Sequence, residues 1–156
     1  MLEFLKAASI RLNADFACLH LLTKTELERG RSNKTVTALD KQGKKLRFFI
    51  ASKDLQQRIP ELYWATVLGA PYLEMFGRDR VLSAPAHSTT SLSSEAVLLQ
   101  MTEKLTDLEE CVDGFDDVRS RIKIWLGQDA FFDMRNEMPS SYRLPVFRFL
   151  DTVGKL

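Results

Sequence analysis

Apolar positions recur at helical spacing, in short unbroken runs, or in alternation, and each pattern predicts an element. Leu2, Leu5, Ala8 and Leu12 fall on one helical face, with Glu3, Lys6 and Arg11 elsewhere. This predicts an amphipathic helix over 2–12, stopped at Asn13. Asp15 to Leu22, DFACLHLL, is short, apolar and nearly free of charge, as an inner strand would be. Within it, Cys18 is expected to be a small buried hydrophobe and His20 a histidine satisfied by the backbone. Thr23 caps a short helix to Arg31, with Glu26 in the capping-box position. Thr35–Leu39 alternates, Lys41 to Lys44 supplies a turn around Gly43, and Leu46–Ala51 is the partner strand. Ser52–Ile59 reads as a short helix ended by Pro60.

The densest pattern runs from Glu61 to Ala86, where Tyr63, Trp64, Tyr72 and Phe76 are punctuated by Gly69, Pro71, Gly77 and Pro85. Pro71 fits the first position of a helix, because its missing N–H needs no partner there. That helix carries Tyr72, Leu73, Met75 and Phe76 and stops at Gly77. A second turn, Arg78 to Leu82, follows. The stretch is expected to plug a core rather than to line a ligand pocket with Trp64 and Tyr72. His87 to Ser94 reads as a polar connection and Ala96–Thr102 as a central strand. Glu103 to Asp113 is an acidic segment broken by Gly114. Phe115–Leu126 is the strongest helix, with Phe115, Val118, Ile122 and Trp125 as its apolar stripe and Asp116 and Asp117 in its first turn. Gly127 ends it. A turn over Asp129–Met134 buries Phe131 and Phe132, Met138–Tyr142 is a loop, and Arg143–Leu150 docks back on the core. The expected fold class is α+β: a small, mostly antiparallel sheet packed by helices. The sheet would contain Asp15–Leu22, the 35–51 hairpin and Ala96–Thr102, in a single domain over 1–156. Trp64, Tyr72, Phe76 and Trp125 are its expected structural core.

Composition adds little, with 45% hydrophobic and 28% charged residues and a net charge of +1. That balance leaves no overall nucleic-acid footprint. The two cysteines cannot establish a disulfide framework, and no apolar run approaches the ~20 residues of a membrane span. The N-terminus lacks a signal-peptide core, so the expected compartment is the cytoplasm. The distribution of charge is more informative. Residues 1–58 carry twelve bases against six acids, a net charge of +6. Over 103–117, Glu103, Asp107, Glu109, Glu110, Asp113, Asp116 and Asp117 face Lys104 alone, a net charge of −6.

Catalytic parts are sparse. The sequence has no Walker-type or dinucleotide glycine loop and no zinc-spaced Cys/His set. The hydroxyls beside His87 lack a nucleophile elbow. Glu74 and Asp79 would need burial to serve as a general acid. A Cys111–His87 dyad is disfavoured by the acids flanking the thiol. Asp113, Asp116 and Asp117 have spacing compatible with a divalent ion, although acids at a helix start already have a structural role. Lys41, Lys44, Lys45 and Arg47 could grip phosphate. They equally serve to blunt a sheet edge, and the adjacent Phe48 and Phe49 cannot both face a ligand. No metal and no cofactor is expected.

Trp64, Gly69, Pro71, Tyr72, Phe76, Gly77, Leu82 and Pro85, with the later VLLQMTEKLTDL, resemble the small immunity proteins of bacterial polymorphic toxin systems. Those proteins show a tryptophan, a Gly-x-Pro-Tyr turn, Phe-Gly and a Leu-x-x-x-Pro segment; here the gap from Leu82 to Pro85 is shortened. The likeness covers roughly the middle third of the chain. It implies a cytoplasmic, non-catalytic inhibitor that binds one cognate toxin domain, one to one, and covers its active site. It transfers no binding residue. The seven acids between Glu103 and Asp117 are the expected toxin-facing surface, since a negative patch speeds encounter with a basic partner. Membrane and nucleic acid are not expected partners. The competing readings are a metal-dependent or hydrolytic domain using the Asp113–Asp117 cluster, and a nucleic-acid module using the basic hairpin.

Overall fold

A computed structural model describes residues 1–21, 37–39, 45–47, 61–131, 145 and 147. The described elements are α1 (Leu2–Arg11), β1 (Phe16–Leu19), β2 (Thr37–Leu39), β3 (Lys45–Arg47), β4 (Ala65–Leu68), α2 (Ala70–Phe76) and α3 (Arg78–Leu82). They continue with β5 (Ser88–Ser93), β6 (Ala96–Gln100), α4 (Asp107–Glu110), α5 (Val112–Leu126) and a 3-10 turn over Gln128–Ala130. The fold is α+β, as expected. Its main sheet is antiparallel with strand order β1-β4-β6-β5, and β2 pairs with β3 in a separate two-stranded sheet.

The sheet is built differently from the sequence expectation. Its most enclosed strand is β4, inside the aromatic stretch that pattern alone read as turns and helices. Ala65, Thr66, Val67 and Leu68 are all buried. A short strand covered on both faces loses its alternation and shows only an apolar run. The Ser/Thr stretch read as a connection is β5, which hydrogen-bonds to β6 with an irregular register between Ser91 and Ser93. Polar, partly β-branched residues suit an edge strand with one wet face. DFACLHLL forms the opposite edge rather than an inner strand, and Cys18 is exposed there rather than buried. The basic hairpin forms, as β2 and β3, but outside the main sheet. The helices expected over 23–31 and 52–59, Lys41, Lys44, Phe132 and the loop 138–142 lie outside the described residues.

The register fixes what each face presents. Phe16, Thr66, Leu68, Val97, Leu99, Thr89 and Ser91 share one face. α2 and α3 pack there: the Tyr72 ring lies 5.9 Å from that of Phe16, and the Thr89 hydroxyl donates to the Leu82 carbonyl at 2.7 Å. Arg78 Nη2 donates to Ser91 Oγ at 2.7 Å. α1 touches β1 and β5, the two edges of the sheet. Val67, Val97 and Leu99 are fully buried. Burial of each such side chain contributes about 1.5–3 kcal/mol. Thr66 is a buried polar residue in this layer, and its hydroxyl accepts from Tyr63 N–H at 2.9 Å, closing the turn into β4.

Gly69 ends β4 for a steric reason. A Cβ there would collide with the Ala14 carbonyl oxygen and stand 2.6 Å from Asp15 Cα. The Gly69 N–H donates to the Asp15 carbonyl at 2.8 Å, so the chain after β4 lies against the start of β1. α2 then begins with Pro71 in its first turn and ends at Gly77, whose φ of 86° is left-handed, as the sequence predicts.

Two expectations about helix faces are corrected. In α1, Leu2 and Leu5 pack on the core, but Leu12 is 76% exposed and Ser9 is buried instead. In the last long helix, Trp125 is not core. It is 43% exposed, while Leu126 is fully buried. The helix begins at Val112, so Gly114 lies inside it rather than breaking it. The buried stripe is Phe115, Ile122 and Leu126, and Trp125 projects beside it. There the Trp125 indole N–H donates to the Arg80 carbonyl at 2.8 Å, and Arg80 Nε donates to the Trp125 carbonyl at 2.8 Å, tying α5 to α3. Trp64, Tyr72 and Phe76 are buried as expected, with Trp64 Nε1 donating to Thr102 Oγ1 at 3.1 Å. Phe131 stacks on Phe76 and Phe147 meets Tyr72, so the described tail residue does return to the core.

Candidate functional site

The acidic segment folds as α4 and the first half of α5. α4 buries Leu108 and turns Glu109 and Glu110 to solvent. On α5, Phe115, Ile122 and Leu126 fix the inward face, and Asp113, Asp116, Asp117 and Ser120, at helical spacing, are all exposed. The first turn of α5 contains Asp113 alone among the acids. Asp116 and Asp117 come one turn later than expected, because the helix starts earlier.

Six of the seven acids are exposed; Asp107 is half-buried. Asp107 Oδ2 accepts from the Lys104 N–H at 3.0 Å and holds the turn into α4. Asp116 pairs with Arg119 at 2.6 Å. The carboxylates of Glu103, Glu109, Glu110, Asp113 and Asp117 have no hydrogen bond or ion pair among the described residues. Two turns along α5 from Asp116, Lys123 Nζ pairs with Glu61 at 2.6 Å and lies 5.8 Å from the Phe131 ring centroid. Asp116 apart, the exposed acids of this segment are thus without a cationic partner among the described residues. Their attraction for a cation is modest in water and grows as a partner excludes solvent.

The candidate chemistry elsewhere is not drawn together. No group of three or more His, Cys, Asp or Glu among the described residues is placed to hold a metal ion, the Asp113, Asp116 and Asp117 set included. Glu74 and Asp79 are exposed, so neither has the buried setting that the general-acid reading required. Cys111 is exposed. Lys45 and Arg47 lie on β3 and pair with Leu39 and Thr37 of β2. No described helix is long and apolar enough to cross a membrane.

The structure also assembles a feature that sequence reading missed. An open cleft of about 490 Å³ lies where the ends of β5 and β6 meet α5. Its lining combines Pro85, Ala86 and His87 with Met101 to Glu103 and with Val118 and Arg121. These residues come from three separate segments; Pro85 and Met101 to Glu103 fall in the stretches that carry the family resemblance, but nothing in the sequence joins them to Val118 and Arg121. Glu103 belongs both to this cleft and to the acidic segment. No protein family, curated protein or solved structure matches the chain.

Proposed function

We propose that this chain is a binding protein that neutralises a basic partner domain by covering it, in the manner of the immunity proteins it resembles in sequence. The observation that carries the reading is the solvent-facing acidic surface of α4 and α5. Six exposed acids cluster within fifteen residues, and only Asp116 has a cationic partner among the described residues. A surface that needed only solubility would intersperse both signs. One sign concentrated on a fixed helix face steers association and selects partners by charge. Toxin domains that act on nucleic acids or nucleotides carry basic sites, and an acidic face is complementary to such a site.

The test is charge reversal in the combined variant Glu109→Lys, Glu110→Lys and Asp113→Lys. The partner to use is the C-terminal domain of the protein encoded by the neighbouring upstream reading frame, where that domain is toxin-like. Steering contributes about 10- to 1,000-fold to association rates. The variant is therefore expected to associate at least tenfold more slowly at low salt and to protect toxin-expressing cells poorly. Unchanged protection together with unchanged affinity refutes the assignment of this face.

A further inference from the structure

Seven large apolar side chains are exposed among the described residues, and four of them, Met1, Phe4, Ile10 and Leu12, lie within the first twelve positions. Scattered singly, such residues are ordinary; gathered on one helix they mark a docking surface. α1 turns Leu2, Leu5 and Ser9 inward. At about 100° per residue, Glu3, Phe4, Ala7, Ile10 and Arg11 fall on the opposite side, within an arc of about 120°. All five are exposed, Phe4 by 78% and Ile10 by 50%.

The five residues are arranged symmetrically about Ala7. Phe4 and Ile10 stand three positions to either side of it, and Glu3 and Arg11 four positions to either side with opposite charge. A two-fold contact matches residue i to residue j and j to i. Turned antiparallel about Ala7, a second α1 brings its Ile10 level with Phe4 and its Arg11 level with Glu3, and each match occurs twice. The small Ala7 side chains at the axis let the helices approach closely. Glu3 accepts from Lys6 through Oε1 at 2.8 Å, which leaves its other carboxylate oxygen for the arginine. A parallel arrangement would instead set like charges side by side. From this self-complementarity we infer that the outer face of α1 docks a second copy of this chain, as a two-fold dimer with antiparallel α1 helices. A helix of ten residues is about 15 Å long, too short to bury the ~1,200 Å² of a stable interface by itself. The dimer is therefore weak, with a dissociation constant of roughly 0.05–1 mM. Its surface belongs to α1, so the inference is independent of the partner reading on α4 and α5 and survives its failure.

The experiment is small-angle X-ray scattering of the full chain over about 0.02–1 mM, a range set by that expected affinity. The mass from forward scattering should rise with concentration from that of one chain toward that of two. Phe4→Ser and Ile10→Ser should each hold it near one chain, whereas Ile124→Ser, at a 65% exposed position on α5, should associate as the parent does. The charges test the antiparallel register. Glu3→Arg and Arg11→Glu each set like charges level at both matches and should weaken association about three- to tenfold. The double variant Glu3→Arg/Arg11→Glu restores opposite signs and should recover most of that loss. All five positions are exposed, and circular dichroism melting checks that each variant folds. A mass that stays at one chain up to 1 mM refutes the dimer, and a mass that climbs past two chains refutes its closed symmetry. Association unchanged by Phe4→Ser and Ile10→Ser refutes the α1 face, and a double variant no better than the singles refutes the antiparallel register.

Discussion

Replacing Tyr72 by Phe should make the protein more stable, the reverse of the usual cost of deleting a tyrosine hydroxyl. Tyr72 is fully buried, and its hydroxyl oxygen has no hydrogen-bond partner among the described residues. Burial, reinforced by the charge of Asp15, pushes the phenol far above its ordinary value of 10, so the group stays neutral wherever the fold persists. The ring is well used: its centroid lies 5.9 Å from that of Phe16 and 6.0 Å from that of Phe147. Phenylalanine keeps those contacts and removes only the stranded hydroxyl. An unmet buried hydroxyl costs about 1–3 kcal/mol. Part of that is offset by the small void left behind, so a net gain of about 1–2 kcal/mol is expected. For a chain of this length, each kcal/mol moves the melting temperature by about 2–4 °C. Urea unfolding followed by tryptophan fluorescence measures the change, and the slope should be unaltered, because the exposed surface does not change. A loss of more than about 1 kcal/mol would show that the hydroxyl has a native partner and refute the reasoning.

The remaining predictions concern the packing beneath the acidic face and the end of β4. Gly69→Ala should destabilise by about 3 kcal/mol or more, since the new methyl meets the Ala14–Asp15 backbone rather than a movable side chain; a melting temperature within 2–4 °C of the parent would contradict this. Leu126→Ala should cost about 2–5 kcal/mol and Trp125→Phe about 1 kcal/mol or less, because Leu126 is in the core and Trp125 loses one exposed hydrogen bond. The reverse order in urea titrations would restore Trp125 to the core stripe. Burial and the charge of Glu95 hold the Asp15 carboxyl above its usual 3.8, so the folded state binds that proton more tightly than the unfolded chain. Stability is then full below the unfolded value and falls as pH rises through the folded one, so Asp15→Asn should raise the melting temperature at pH 7 but not in acid. An equal gain at both pH values would rule out titration of Asp15 as the cause.

What the sequence discloses depends on how many neighbours a pattern needs. Local grammar was legible: Pro71 and Gly77 bracket α2, Gly127 ends α5, and the apolar spacing places α1. So were β1, the β2–β3 hairpin and β6, but β4 was not, because it is recognised only by its partners on both sides. Its four buried residues look like any apolar run until β1 and β6 flank them. The same limit explains Trp125. Its spacing from Phe115 and Ile122 suits either side of the stripe, and the decision comes from α3. Arg80 offers a carbonyl and a guanidinium just outside the core, which satisfies the indole N–H at the surface. Leu126, with no polar atom in its side chain, takes the interior position instead.

The two functional features differ in the same way. The acidic run was visible because neighbours in sequence are neighbours on a helix, and only the orientation of α5 remained for the fold to supply. Burying Phe115, Ile122 and Leu126 leaves Asp113, Asp116 and Asp117 no direction but outward. The hydrophobic stripe thereby aims the charges, and a one-residue change in it would rotate the acidic face by roughly 100°. Arg121 shows the consequence. It lies four residues beyond Asp117, yet instead of pairing with that acid it lines the cleft opposite the sheet. Arg121, which has no ion pair among the described residues, thus sets a cation at the edge of the acidic face. On the proposed reading, a surface that is negative over α4 and α5 but positive at Arg121 would disfavour a partner that is basic throughout.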